Sequence, residues 1–337
     1  MTRALSVISA GPSVTVQDLG RTGFLAFGLS RGGAVDRLAI AEGAALLGQP
    51  VTHAALEMAG MGAVFEAHED LRIALTGAPM RAQIDGQPLV WHASHLLPKG
   101  ARLSIGPAIS GVYGYLHLGG GIDSPRLLGA PSAHLTAGLG KAIKAGDTLP
   151  LAADDATRVG QVLDVADRFS GGTLRVVPSL QTGLFAQEQR DLFGSSSFVR
   201  DTRGNRMGVR MACDGPGFAV EGGLNVVSEV IVPGDIQVTG DGTPFVLLAE
   251  SQTTGGYPRI GTVLPCDLPL AGQAPAGARI GFRFVDLAEA IDLERKFRLH
   301  IEGVPRQLEP LIRDPALMRD LMSYNFISGV TDGKTEA

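Results

Sequence analysis

Three features of this 337-residue chain predict a mainly β fold of short strands closed into barrels or sandwiches. Short runs of β-type residues recur along most of its length. Glycine, proline and aspartate punctuate them, as in the hairpin signal Ile84-Asp85-Gly86-Gln87 and in Gly240-Asp241-Gly242. The chain also holds 46 glycines, about twice the usual fraction, spread without a collagen-like period. That excess suits many tight turns between strands rather than alternating βα units.

In chain order, strands are expected at 13–17, 62–66, 71–76, 88–91, 101–105, 112–118, 173–178, 244–249 and 279–285. Asp36 reads as the N-cap of a helix over 37–47, with Leu38, Ala41 and Ala45 on its apolar side and Gly48 as its stop. A second helix is expected at 187–193. Charged, amphipathic segments at 288–300 and 307–323 predict a C-terminal helical tail. Segments beginning at Gly100, Gly146 and Gly277 share one pattern, glycine and then alternating apolar residues, which hints at two related barrels. The stretch 152–172 is rich in Ala, Asp and Gly, and its Arg168-Phe169-Ser170-Gly171-Gly172 reads as a flexible link, with 161–165 as an alternative short strand. The resulting division is an N-terminal unit over 1–160, a second over 172–285 and a helical tail over 286–337.

Composition narrows the function. Hydrophobic residues make up 45% and charged ones 19%, as in a globular chain. The net charge of −5, with no Lys/Arg cluster, argues against nucleic acid or an anionic membrane as partner. Cys213 and Cys266 are too few for a disulfide framework or a Cys-based zinc site and suit a reducing cytoplasm. Met1-Thr2-Arg3-Ala4-Leu5 lacks a signal-peptide core, and no run of eighteen apolar residues occurs, so a soluble, cytoplasmic protein is expected. His92 and His95 read as structural, and no metal site is expected. Gly138-Leu139-Gly140-Lys141 lacks the rest of a phosphate-binding loop, and Gly119-Gly120-Gly121 lacks dinucleotide-binding spacing. Neither a G-x-S-x-G elbow nor a Met-Lys-Met biotin attachment site is present.

The densest polar run is Gln252-Thr253-Thr254-Gly255-Gly256-Tyr257-Pro258-Arg259-Ile260, which follows an apolar strand ending at Glu250. A strand that delivers acid, amide, hydroxyls and two glycines to one loop reads as a site. Glu250 is an acid/base candidate, Gln252 donates and accepts, and Thr253 and Thr254 supply hydroxyls. Gly255 and Gly256 read as a backbone anion nest, Tyr257-Pro258 stiffens the exit, and Arg259 offers a positive fork. Two further clusters accompany it. Gln17, Asp18 and Arg21 follow a strand, and Gly28-Leu29-Ser30-Arg31-Gly32-Gly33 leads to the helix capped by Asp36, whose backbone donors would favour an anion. Asn205-Arg206-Met207-Gly208 precedes Ser228-Glu229 and Gly234-Asp235-Ile236-Gln237-Val238, where Arg206 could clamp an oxyanion. Ordinary turns and a surface arginine are the plainer alternatives for both.

Taken in order and spacing, Thr15-Val16-Gln17-Asp18-Leu19-Gly20-Arg21, Arg206-Met207-Gly208, Ser228-Glu229, Gly234-Asp235-Ile236-Gln237-Val238 and the run 252–260 resemble the family of 5-oxoprolinase C subunits. This is the urea amidolyase-related, biotin-dependent carboxyltransferase domain also called allophanate hydrolase subunit 2. The resemblance runs from about Leu5 to Val285. Glu250 stands where Asp is commoner, Arg259 where Lys is, Asn205 where Asp is, and Thr239 where Pro is. The resemblance implies two cyclophilin-like β-barrels and a partner, the 5-oxoprolinase B subunit, with which a composite site forms. It implies that the pair uses ATP on 5-oxo-L-proline and that the A subunit joins in ring opening to L-glutamate. On this reading Glu229 or Glu250 is the acid/base and Gly255-Gly256 supply oxyanion donors, with Gln252, Thr253 and Thr254 beside them. Gln17, Asp18, Arg21, Arg206, Gln237, Tyr257 and Arg259 bind substrate. Rival functions are carboxyl transfer from carboxybiotin to urea or a related amide, which alone would require biotin, and a non-catalytic regulator that binds a partner.

Overall fold

Strand pairing in the computed structural model, which describes residues 3–215, 217–220 and 226–312, divides the chain into two β units. The first is built from two sheets. One has six strands in the order Thr148–Pro150, Ala4–Ala10, Ala63–Ala67, Arg102–Ala108, Met80–Ile84 and Gln87–Pro88. The other has seven, in the order Thr15–Gln17, Ala55–Ala59, Tyr113–Leu118, Leu71–Gly77, Ala93–Leu97, Gln161–Val162 and Glu309–Pro310. They pack on one apolar cluster that includes Leu5, Phe65, Ile73, Leu103 and Leu116.

The second unit is a closed barrel of Gly171–Val177, Arg259–Val263, Asp235–Val238, Pro244–Leu247, Gly208–Ala212, Phe198–Asn205 and Arg279–Phe284. Parallel pairing of Gly171–Val177 with Arg279–Phe284 completes the ring. The predicted mainly β architecture therefore holds, with one difference: only the second unit closes as a continuous ladder. Both edges of the six-stranded sheet and one edge of the seven-stranded sheet carry a proline (Pro150, Pro88 and Pro310), which cannot donate to a further strand.

The local signals have identifiable outcomes. Asp85 (φ 46°) and Gly86 (φ 84°) make the expected tight turn between Met80–Ile84 and Gln87–Pro88. Gly100, Gly146 and Gly277, which open the three similar segments, all take left-handed φ immediately before a strand. The strand expected at 88–91 is displaced to Ala93–Leu97, because His92 sits at φ 55° and breaks the extended run. Helix α1 (Arg37–Leu47) starts where Asp36 accepts the Ala39 N–H (3.1 Å) and stops at Gly48. Helix α2 (Gln187–Ser195) drives Phe193 into the barrel, where its ring stacks on Phe282 at 4.6 Å. Helix α3 (Leu268–Gln273) ends in a wholly buried glutamine. Helix α4 (Leu287–Gly303) is capped by Asp286.

Two expectations require correction. The link at 168–172 is not loose: Arg168 donates from Nε to Asp36 (2.7 Å) and from both terminal nitrogens to Glu42 (2.9 and 2.8 Å). The helix expected at 307–323 begins instead as an extended segment, because Glu309–Pro310 pairs with Gln161–Val162; residues 313–323 lie outside the described part. The tail thus folds back onto the first unit through Phe297 and Ile301. The units also share a core, since Val35, Ile40, Tyr113 and Tyr115 belong to the same buried cluster as the barrel interior. Gln273 ties the junction. It accepts the N–H groups of Val112 (3.1 Å) and Tyr113 (2.9 Å) and donates to Asp36 (2.9 Å) and the Tyr113 carbonyl (2.8 Å).

Candidate active site at the junction of the two units

Glu57 is a carboxylate in the middle of the apolar strand Ala55–Ala59, and burying such a group demands partners. Its Oε2 accepts the Val35 N–H (2.9 Å) and the Tyr115 hydroxyl (2.7 Å), and its Oε1 accepts from Arg206 Nη1. Arg206 lies in the turn between Phe198–Asn205 and Gly208–Ala212, so the pair crosses the junction. The same guanidinium donates from Nε to Glu250 Oε1 (2.6 Å) and from Nη2 to the Gly33 carbonyl (2.7 Å). Burial works against its charge, but Glu57 and Glu250 outweigh burial and raise its pKa. Glu250 meets the same contest: burial opposes its charge, and Arg206 and the Thr136 N–H lower its pKa overall. Glu250 is therefore ionised at neutral pH.

His134 Nδ1 lies 3.9 Å from Glu250 Oε2 and accepts the Ala137 N–H (3.3 Å). That leaves the ring proton on Nε2, which donates to Ser30 Oγ (2.8 Å). Burial lowers the His134 pKa against the pull of Glu250, with Arg21 and Arg206 adding to burial, so the ring is neutral. The Ser30 oxygen is occupied, which frees its O–H to donate. Thr136 donates to Glu250 Oε2 from its hydroxyl (3.2 Å). Ser30, His134, Thr136, Glu250, Thr253 and Thr254 line a cavity of about 420 Å³. A second cavity, of about 500 Å³ between the units, shares Thr136 and Glu250 with it.

Main-chain hydrogen bonds bring the polar loops together. The Arg21 N–H donates to the Arg31 carbonyl (2.9 Å), Ala34 to Asp18 (2.8 Å), Gly32 to Ala249 (3.0 Å), Glu250 to Arg206 (2.8 Å) and Ile231 to Thr253 (3.0 Å). The loops at 17–21, 206–208, 228–237 and 252–259 therefore converge, but their side chains divide into separate groups. Gln17, Asp18 and Arg21 turn inward. Gln17 donates to Thr15 Oγ1 (3.0 Å) and the Ala133 carbonyl (3.1 Å), Asp18 accepts from Ser132, and Arg21 donates to the carbonyls of Leu127, Ala130 and Ser132. They brace the segment that carries His134 rather than face the cavity.

Arg259 forms a second centre, on the barrel wall. It donates to Glu229 (2.6 Å), Asp235 (3.2 Å) and the Val230 carbonyl (3.0 Å), and Gln181 bridges Arg259 and Glu229. Gln237, Gln252 and Tyr257 line a third cavity, of about 330 Å³. Gly255 and Gly256 do not form a nest, which would require alternating left-handed φ; neither residue takes it. Thr254–Gly255 pairs instead with Glu229–Val230. A side chain at Gly255 would collide with the Gln237 amide, so glycine is needed there for close packing. Nor does the start of α1 await an external anion, since Glu57, Asp36 and Tyr115 already take up the donors of Val35, Ala39 and Asp36.

Glu57, His134, Ser30 and Thr136 were not singled out by the sequence patterns. A lone carboxylate inside an apolar strand was the available signal for Glu57. His134 carried none, because its partners Ser30 and Glu250 are 104 and 116 residues away. Among the described residues, no group of three or more His, Cys, Asp or Glu side chains could hold a metal ion, and no helix is long and apolar enough to cross a membrane.

Residues 27–284 match the carboxyltransferase domain, subdomains A and B, and the chain belongs to that family. Within it, the C subunit of 5-oxoprolinase from Escherichia coli (strain K12) is 34% identical over 313 residues, spanning 89% of this chain and 100% of that protein. The C subunit of 5-oxoprolinase from Haemophilus influenzae is 31% identical over 306 residues, spanning 90% and 98%. The structure of Kluyveromyces lactis urea amidolyase superposes with a TM-score of 0.81 at 23% identity, a likeness of fold, over 94% of this chain and 21% of that one. Another solved chain matches at 34% identity and a TM-score of 0.77 over 55% of its length, so this chain spans between a fifth and about half of these solved chains.

Proposed function

We propose that this chain is one component of a 5-oxoprolinase, acting with the B and A partner subunits to open 5-oxo-L-proline to L-glutamate at the expense of ATP. The observation that carries this reading is the match, at 34% and 31% identity, over 100% and 98% of the length of two proteins named as the C subunit of 5-oxoprolinase. The site chemistry supports it. Ring opening adds water across the lactam C–N bond, and negative charge develops on the lactam oxygen. The hydroxyls of Ser30 and Thr253 are neutral donors for that oxygen, and preorganised donors of this kind stabilise such charge. Glu250, held ionised by Arg206, accepts the lactam N–H or orients the attacking water.

A triphosphate does not fit this lining: Glu250 is its one ionised side chain among the described residues, and Arg206 is neutralised by two carboxylates. On this reading the nucleotide sits with the B partner, in a cytoplasmic complex. The same neutral, hydroxyl-rich cavity also suits a ureido group, so carboxyl transfer to a urea-like amide is the second reading. The test is reconstitution with the partner subunits, followed through 5-oxoproline-dependent ATP hydrolysis. Turnover should require this chain, and Glu250→Gln should reduce it by about a hundred-fold or more, the usual contribution of a positioned acid or base. Full turnover without this chain, or an undiminished rate with Glu250→Gln, would refute the proposal. Carboxybiotin-dependent activity in its place would establish the second reading.

A further inference from the structure

The arginines expected to hold a substrate anion are already engaged. Arg206 is neutralised by Glu57 and Glu250, and Arg259 by Glu229 and Asp235. Arg21 has turned its Nε and Nη2 to loop carbonyls. Arg200 differs from these in lining a cavity with its charge unpaired; Arg21, whose buried Nη1 also lacks a partner, lines neither of the two cavities that share Glu250. Arg200 is 6% exposed, yet no carboxylate forms an ion pair with it among the described residues. Its Nη1 donates to the carbonyl of its own neighbour Asp201 (2.9 Å), and its buried Nε has no hydrogen-bond partner. Leaving a buried guanidinium half-satisfied is costly unless something else completes it.

The surroundings of Arg200 form a recess for such a group. Arg200 lines the cavity of about 500 Å³ between the units, together with Tyr113, Asn205, Thr136 and Glu250. A register shift separates Arg200 from Gly204 in the pairing of Phe198–Asn205 with Gly208–Ala212. The guanidinium packs over Gly204 there: a Cβ at that position would lie 2.6 Å from Arg200 Nη2. Asn205 uses its carbonyl oxygen to accept the Met207 N–H (2.7 Å), which leaves its NH₂ to donate. Burial raises the pKa of the Tyr113 phenol, so it remains a donor. Arginine fork, amide NH₂ and phenol are all donors, a set that matches a carboxylate.

We propose that Arg200 binds the carboxylate of a small substrate in the cavity between the units, with the substrate's reacting end directed toward Thr136 and Glu250. The carboxylate belongs to the cyclic amino acid substrate, and that identification rests on the 5-oxoprolinase reading. The test has two arms. In the reconstituted complex, Arg200→Gln should raise KM for 5-oxo-L-proline by about ten- to a hundred-fold, more than kcat falls, as expected for loss of a charge-assisted pair. Gly204→Ala, which displaces the guanidinium without removing it, should raise KM by a smaller factor.

In the second arm the full chain is titrated with 5-oxo-L-proline and with 2-pyrrolidinone, which lacks the carboxylate, while the Arg200 Nε–H resonance is followed by NMR. The resonance should move with the acid and not with the lactam. Wild-type turnover with an unchanged KM in both variants would overturn the carboxylate site and leave the 5-oxoprolinase reading intact. If the wild-type complex shows no turnover, that reading fails and the titration alone decides: a carboxylate-dependent shift supports the site, and its absence refutes it. Melting temperatures of both variants separate lost binding from lost folding.

Discussion

Arg206 and Arg259 each sit between two carboxylates, but the carboxylates have different origins. Those of Arg206 come from opposite units: Glu57 from the first and Glu250 from the barrel, both almost fully buried. Those of Arg259 both come from the second unit, Asp235 from a barrel strand and Glu229 from the short ladder beside it, and the Glu229 side chain is 47% exposed. The same motif therefore does two jobs. Around Arg206 it locks the junction and sets the charge of the cavity. Around Arg259 it fastens the short ladder of Glu229–Val230 and Thr254–Gly255 to the barrel wall. The energetic difference follows from water, which can solvate the half-exposed Glu229 when its partner is lost and has far less access to the buried Glu57 and Glu250.

The largest effect is expected at Arg206. Arg206→Met leaves two buried carboxylates without their shared counter-ion, and removing one partner of such a cluster costs about 3–5 kcal/mol. Urea denaturation at neutral pH measures this. A triple variant that also replaces Glu57 and Glu250 with apolar residues should recover most of the loss, because the penalty lies in the stranded charges. Recovery would show that the cluster is retained for the site rather than for stability.

Arg259→Met should cost less, about 1–3 kcal/mol, since Asp235 keeps the Val232 N–H and the Thr262 hydroxyl as partners and Glu229 turns to solvent. Equal losses at Arg206 and Arg259 in the same denaturation assay would erase the distinction.

The smallest effect separates the centres by pH. The pKa of Glu250 is lowered on folding, so its contribution to stability is fully present above the unfolded carboxylate value of about 4.3. It is lost as pH falls from there through the lower native value. Melting curves between pH 7 and 3 should therefore show an acid-induced loss that Glu250→Gln diminishes. An unchanged acid limb in that variant would place the titrating charge elsewhere.

Much of the fold was legible because its signals are local. Asp36 and Gly48 bound α1 through their own backbone chemistry, and Asp85-Gly86 and the three strand-opening glycines specify turns by the φ they tolerate. The polar loops were legible as a set, and they do meet. Their roles were not, because a polar residue reads the same whether it faces a cavity or a carbonyl. Gln17, Asp18 and Arg21 look like binding residues in the sequence and brace the segment carrying His134 in the structure. Gly255 looks like an anion nest and is a close-packing position against Gln237.

The sequence by itself determined the strand-rich class, the capped helices, the turns and the polar loops, because each depends on residues within a few positions of one another. Only the tertiary structure decided which charges are consumed and which remain available. Arg206 meets Glu57 across 149 residues, and Arg200 meets no carboxylate among the described residues. Pairing of buried charge is set by distance and exclusion of water, and both arise only when the two units close on each other.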